Sequence, residues 1–398
     1  MAGKVWVTGM GVATSMGMNV DQSLASFRAK RTGIGPIEIL DTIHRPDFKV
    51  GEIRLTNAKM MEMLGLPADQ TRDYTRTTLI GAIAAREAYH SAAITGEDGI
   101  TTALVSATTV GGMDRTEVDY AAGNLNSGFI QTHPCGDSTE KIADLLGLTG
   151  YRTTLSTACS SGANAIIHGA QLIRHGIVDR AIVGGVDPLS KFTLNGFNSL
   201  MILDRKPCQP FDQHRRGLNL GEGAGFLVLE SDSLAARKEG RKICSLSGYA
   251  NANDAYHQTA SSPEGEGALA AMKGALAMSG IGKEEIAYIN AHGTGTENND
   301  ASEGAALVRL FGEKLPPFSS TKAFTGHTLG AAAGVEAVFS VLAIRQGAVF
   351  PSLGFKEPIE GLGISPETEL KEGEAIGNVL SNSFGFGGNN SSLIFSKP

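Results

Sequence analysis

The sequence predicts an α/β protein with substantial parallel strand pairing, built from two similar halves. Three observations carry this. Short β-branched runs ending in glycine alternate with segments of helical spacing. A helix-then-strand unit and a turn-then-helix unit each occur twice. The 398 residues include 51 glycines, which imply many tight turns and close backbone approaches.

In chain order, "VWVTG" (5–9) is the first predicted strand and 78–94 a helix leading into the strand "ALVSATTVGG" (103–112). Leu155 to Ala158 ends a buried strand. From Ala163 the apolar residues Ile166, Ile167, Ala170 and Ile173 follow at helical spacing, predicting a helix over 162–175. "AIVGG" (181–185) and "GFLVLES" (225–231) are further strands, and 266–279 a further helix. The echo links "AREAYHSAAI" and "ALVSATTVGG" with "KGALAMSGI" (273–281) and "AYINAHGTGT" (287–296). It also links "CSSGANAIIHGAQLIRHG" (159–176) with "LGAAAGVEAVFSVLAIRQG" (329–347). Such echoes also arise by coincidence among common patterns. Taken as duplication, they divide the chain at the "DSLAARKEGRK" joint into halves 1–235 and 236–398.

A net charge of −7 argues against a surface devoted to nucleic acid or anionic lipid. Cys135, Cys159, Cys208 and Cys244 lie far apart without C-x-x-C spacing, so neither a zinc cluster nor a disulfide scaffold is expected. The N-terminus has no signal-peptide pattern, and no apolar run is expected to reach membrane-spanning length, so no membrane insertion is expected. A cytoplasmic protein is the expectation.

Cys159 stands on a predicted strand-to-helix turn, where the helix dipole favours a thiolate. The plainer alternative is a small buried apolar cysteine. His292 in "NAHGTGT" and His327 in "TGHTLG" follow short strand-like runs and are enclosed by glycine and threonine. A thiolate with imidazoles nearby suits acyl transfer through a thioester, and neither histidine has metal-ligand spacing.

The segments "TACSSGA", "NAHGTGT", "STKAFTGHTLGAAAGVEA" and "SNSFGFGGNNSSLIF", in this order and spacing, resemble the elongating β-ketoacyl-[acyl-carrier-protein] synthases. "VWVTGMGVATSMG", "PFDQHRRGLNLGEGAGFLVLES" and "AYHQTASSPEG" extend the resemblance over nearly the whole chain. The resemblance implies the thiolase fold, a duplicated five-layered α/β/α/β/α architecture, and decarboxylative condensation of an acyl thioester with a malonyl thioester. It implies acyl carrier protein as partner, a homodimer, no metal and no cofactor, the substrates riding on a phosphopantetheine arm.

Residue by residue, Cys159 matches the family's nucleophile, and His292 and His327 its two catalytic histidines. Lys322 and Glu336 match a charged pair that organises the site, and Glu303 a further acidic position. Thr294 and Thr296 match residues that hold the phosphopantetheine arm. Phe386 matches a gate whose backbone N–H joins that of Cys159 in an oxyanion hole, and Phe384, Gly385 and Gly387 beside it are candidate substrate-binding residues. The plainer alternative for the glycines is a bend that shapes the site. Arg205 and Lys206, with Arg72 and Arg76, are the candidate carrier-docking cations. The region 113–145 and the stretch "NSLMILDRKPCQPFD" depart from the housekeeping pattern, which brings a specialised polyene or polyketide-like pathway beside ordinary fatty-acid elongation. The rivals are a non-catalytic chain-length-determining subunit, which Cys159 disfavours, and a thiolase-like coenzyme A acyltransferase, which His327 and the cysteine-free "GFGG" segment disfavour.

Overall fold

The expected strand at the N-terminus forms as β1 (Val5–Thr14), buried along its whole length. The computed structural model describes residues 3–70, 73–96, 98–124, 128–237, 240 and 242–398. The further strands of the main sheet are β2 (Thr102–Ala107), β3 (Arg152–Leu155), β4 (Arg180–Asp187), β5 (Gly223–Ser231), β6 (Cys244–Asn253), β7 (Tyr288–Asn290), β8 (Phe318–Ser319), β9 (Asn378–Gly385) and β10 (Asn389–Ser396). The helices that matter here are α1 (Arg76–Ser91), α2 (Met113–Ala121), α3 (Ser161–Arg174), α4 (Lys191–Ser199), α5 (Glu266–Ser279), α6 (Glu297–Phe311) and α7 (Ala332–Gln346).

The ten strands run in the order β8-β7-β9-β10-β6-β1-β5-β4-β2-β3. Outward from β1 the order is β5, β4, β2, β3; outward from β6 it is β10, β9, β7, β8. In each half the first two pairings are antiparallel and the outer two parallel. The halves join where Trp6 and Val7 pair with Ser245 and Cys244. The echo read in the sequence is therefore a structural duplication. α1–β2 corresponds to α5–β7, and α3 to α7.

Strand alternation sets the layers, because both sheet faces are buried. Ala103 and Val105 of β2, Ala181 and Val183 of β4, and Leu227 and Leu229 of β5 pack on the central helices α3 and α7. Their neighbours Leu104, Ile182, Phe226 and Val228 face α1 on the outer side. Leu380, Phe384 and Ile394 face α5 and α6 in the second half. The result is the expected five-layered α/β/α/β/α architecture. The central helices approach closely: a Cβ on Gly162 would stand 2.6 Å from the Gly334 backbone nitrogen. Residues 329–346 form one helical stretch long and apolar enough to cross a membrane, contrary to expectation, and it is 89% buried as the central helix of the core. The strand expected to end at Ala158 stops at Leu155 and is a half-exposed edge.

Candidate active site

The turn after β3 carries Cys159 into the start of α3, as the sequence predicts. Cys159 is buried, at 6% exposure, at the inner end of a cavity of about 330 Å³. The cavity also receives His292, His327, Thr294, Thr296 and Phe386, and reaches the surface at Met201 and Arg216. First and second halves thus supply the cysteine and the histidines respectively.

His292 follows β7. Glu303 on α6 accepts the backbone N–H groups of His292 (2.9 Å) and Gly293 (2.8 Å), fixing that turn. Buried Lys322 places its Nζ 3.1 Å from His292 Nδ1 and 2.5 Å from the His292 carbonyl oxygen, and pairs with Glu336 on α7. An ammonium only donates, so Nδ1 is the acceptor and the proton of the neutral ring sits on Nε2. His327 reaches the same tautomer by another route: the Leu329 backbone N–H donates to its Nδ1 at 3.0 Å. The two rings meet edge to face with centroids 5.4 Å apart. Both imidazoles lie well below the usual histidine pKa; burial is the largest cause, with Lys322 adding to it and, for His292, His327 as well. The site therefore presents two neutral imidazoles, each with an N–H donor.

Burial pushes the Cys159 thiol up to about 11, against the pull of Lys322 and of the Phe386 backbone N–H. The helix start alone does not set this thiol, contrary to the expectation of a thiolate favoured by the dipole. Burial likewise pushes Glu336 and Glu303 up to about 7.

Phe386 stands at the tip of the β9–β10 hairpin and stacks on Phe197 of α4 at 5.9 Å. Phe384 lies buried with its ring 5.9 Å from His292. Gly385 touches the nucleophile's turn: a Cβ there would stand 3.2 Å from the Cys159 nitrogen. Gly387 is exposed, with φ of +79°, and donates its N–H to the Gln258 carbonyl oxygen. Thr294 and Thr296 line the cavity with their hydroxyls 2.8 Å apart, and Thr296 also caps α6.

The docking cations divide. Arg205 and Lys206 are exposed, three and four residues past cavity-lining Ile202. Arg76 is not a surface cation. It is buried at the start of α1, paired with Glu222 at 2.6 Å and bonded to the carbonyl oxygens of Ile53 and Leu55. Arg72 lies outside the described residues. Among the described residues, no three His, Cys, Asp or Glu side chains are grouped to hold a metal.

Two carboxylates escaped the sequence reading. Asp187, at the end of β4, accepts from Thr108, Thr109, Val110 and the Gly330 N–H, tying the first half's loop to the turn after His327. Asp300 accepts the N–H groups of Thr294, Gly295 and Phe211, holding the threonine turn. An acidic residue closing the apolar run Ala181–Val186 is the signal that points to Asp187.

With this geometry in place, the comparisons with known proteins decide the family. The family described as "Beta-ketoacyl synthase, N-terminal domain" matches residues 2–235, and "Beta-ketoacyl synthase, C-terminal domain" matches residues 243–356. This chain belongs to the β-ketoacyl synthase family. Among its relatives in the family is the "3-oxoacyl-[acyl-carrier-protein] synthase 2" of Staphylococcus aureus (strain N315), 32% identical over 410 residues, covering 99% of this chain and 98% of that protein. The protein of the same description from Vibrio cholerae is 30% identical over 99% of each chain. A solved synthase-fold structure, "The ishigamide ketosynthase/chain length factor", superposes with a TM-score of 0.92 at 31% identity, covering all of both chains. The ketosynthase ApeO in complex with its chain length factor ApeC, from Xenorhabdus doucetiae, superposes at 0.85 and 31% identity, covering 100% of this chain and 98% of that one.

Proposed function

We propose that this chain is an elongating β-ketoacyl-acyl-carrier-protein synthase, condensing an acyl thioester held on Cys159 with a malonyl thioester. The observation that carries it is the pair of neutral imidazoles, each held in the Nε2–H tautomer, in one cavity with a buried cysteine.

The Cys159 sulfur attacks the acyl thioester carbonyl. The tetrahedral oxyanion is held by the Cys159 and Phe386 backbone N–H groups, and the carrier thiol leaves with the proton that the cysteine gives up. A malonyl thioester then loses carbon dioxide. The electron pair of the broken C–C bond becomes an enolate whose oxygen takes hydrogen bonds from His292 and His327. Neutral donors suit this role, since neither carries a proton acidic enough to quench the carbanion. The carbanion attacks the acyl-cysteine, and the new C–C bond forms as the C–S bond breaks. The Cys159 thiolate leaves and takes a proton from solvent, the one proton that the overall reaction consumes. Lys322 and Glu336 hold His292 in its tautomer; Glu303 fixes the turn that carries it.

Thr294 and Thr296 suit the amide-bearing phosphopantetheine arm, and exposed Arg205 and Lys206 suit an acidic carrier protein. A cytoplasmic enzyme working as a dimer, with a second copy or a sister subunit, fits the relatives solved with chain length factors. Incubation with an acyl carrier thioester should add one acyl group, mapped by mass spectrometry to Cys159. Labelling of Cys135, Cys208 or Cys244 instead contradicts the proposal.

A further inference from the structure

A polar cluster behind the Cys159 turn has no part in the steps above. Ala158, directly before Cys159, holds a left-handed φ of +53°, which side chains rarely adopt. Such a turn persists only where its surroundings hold it. Ser160 Oγ lies 2.7 Å from Asn389 Oδ1 and 2.8 Å from the Thr157 carbonyl oxygen. Asn164 on α3 donates to Thr157 Oγ1 at 2.8 Å and to Asn389 Oδ1 at 2.9 Å. Asn251 on β6 donates to the same Oδ1 at 2.7 Å and lies 3.0 Å from Asn164 Oδ1. Three donors, from the Cys159 turn, α3 and β6, converge on one oxygen.

That oxygen belongs to the hairpin that carries Phe386. Asn389 pairs with Gly385 across the hairpin, and a Cβ on Gly385 would meet the Thr157 carbonyl oxygen at 3.1 Å. Hairpin tip and cysteine turn are in contact, and Asn389 joins them on both sides of Cys159, through Ser160 and, by way of Asn164, through Thr157.

We propose that Asn389, gripped by Ser160, Asn164 and Asn251, is a positioning residue that fixes the spacing of the Cys159 and Phe386 backbone N–H groups. This rests on the function proposed above, in which those groups bind the oxyanion. The consequence is selective. Acyl loading and condensation pass through an oxyanion at that spacing and depend on the cluster. Decarboxylation uses the histidine Nε2–H groups and does not.

The test separates these steps. Asn389→Leu removes the acceptor at similar volume and should slow acyl loading from a carrier thioester about 10-fold or more, the effect of about 1.4 kcal/mol on the barrier. In a Cys159→Ala background, carbon dioxide release from malonyl carrier should be the same with and without Asn389→Leu. Asn389→Thr keeps an uncharged acceptor oxygen and should recover most of the loading rate. If Asn389→Leu does not fold, Asn251→Ala serves instead: this exposed side chain bonds only Asn164, Asn389 and Ser391 among the described residues. Unchanged loading in the folded variant, or a parallel loss of carbon dioxide release, overturns the proposal. A parent enzyme that never loads Cys159 overturns the function itself, so the two failures are told apart.

Discussion

At Cys159 two effects oppose each other. The start of α3 and the Lys322 charge favour a thiolate, while full burial disfavours any anion, and burial wins, pushing the thiol up to about 11. Below that value the thiolate fraction grows about tenfold per pH unit. Alkylation of Cys159 by iodoacetamide, corrected with a Cys159→Ser control, should therefore climb steadily from pH 7 to pH 10. A plateau near neutrality would mean that the helix start prevails. Cys159, His292 and His327 were legible in the sequence because each sits in a glycine-rich turn after a short apolar run. Asp187 and Asn389 were not, because what they hold lies far away in the chain: Gly330 for Asp187, and Ser160, Asn164 and Asn251 for Asn389.

At the scale of elements, α1, α3, α5 and the strands of the first half follow from periodicity and β-branched content. The strands β6, β9 and β10 went unpredicted as strands. The faces of β9 and β10 carry buried serines and asparagines beside their apolar residues: Asn382 bonds Glu303 and Ser392, and Ser391 bonds Asn164 and Asn251. Composition therefore hides them. Arg76 shows the converse. On paper it is one more cation in a thin basic cluster; at the head of α1 it anchors Glu222, which also accepts the backbone N–H groups of Ile53 and Leu189. Removing one partner of a buried pair costs about 3–5 kcal/mol. Arg76→Ala should lower unfolding stability by that order in denaturant titration. Reversing charge at Arg205 and Lys206 should leave stability unchanged while raising KM for a carrier-bound substrate and weakening its salt dependence. An Arg76→Ala protein of parent stability would return Arg76 to the surface cations.

At the scale of the molecule, duplication explains why the site lies where it does. The turn after β3 supplies the nucleophile, and the second half supplies both imidazoles. His292 comes from the turn after β7, and His327 from the turn after a short helix, Lys322–Thr325, that follows β8 where a strand-like run was expected. Helices α3 and α7 pack through Gly162 and Gly334 between them. Neither half holds a complete site. The central claim is that the second half's histidines, kept neutral and in the Nε2–H tautomer, stabilise the enolate independently of the cysteine. Release of labelled carbon dioxide from malonyl carrier measures this directly. In Cys159→Ala, condensation should vanish while carbon dioxide release continues. Adding His292→Ala or His327→Ala should cut that release roughly 100-fold or more, the usual cost of losing one oxyanion donor. Histidine variants that release carbon dioxide as fast as Cys159→Ala alone would contradict the account.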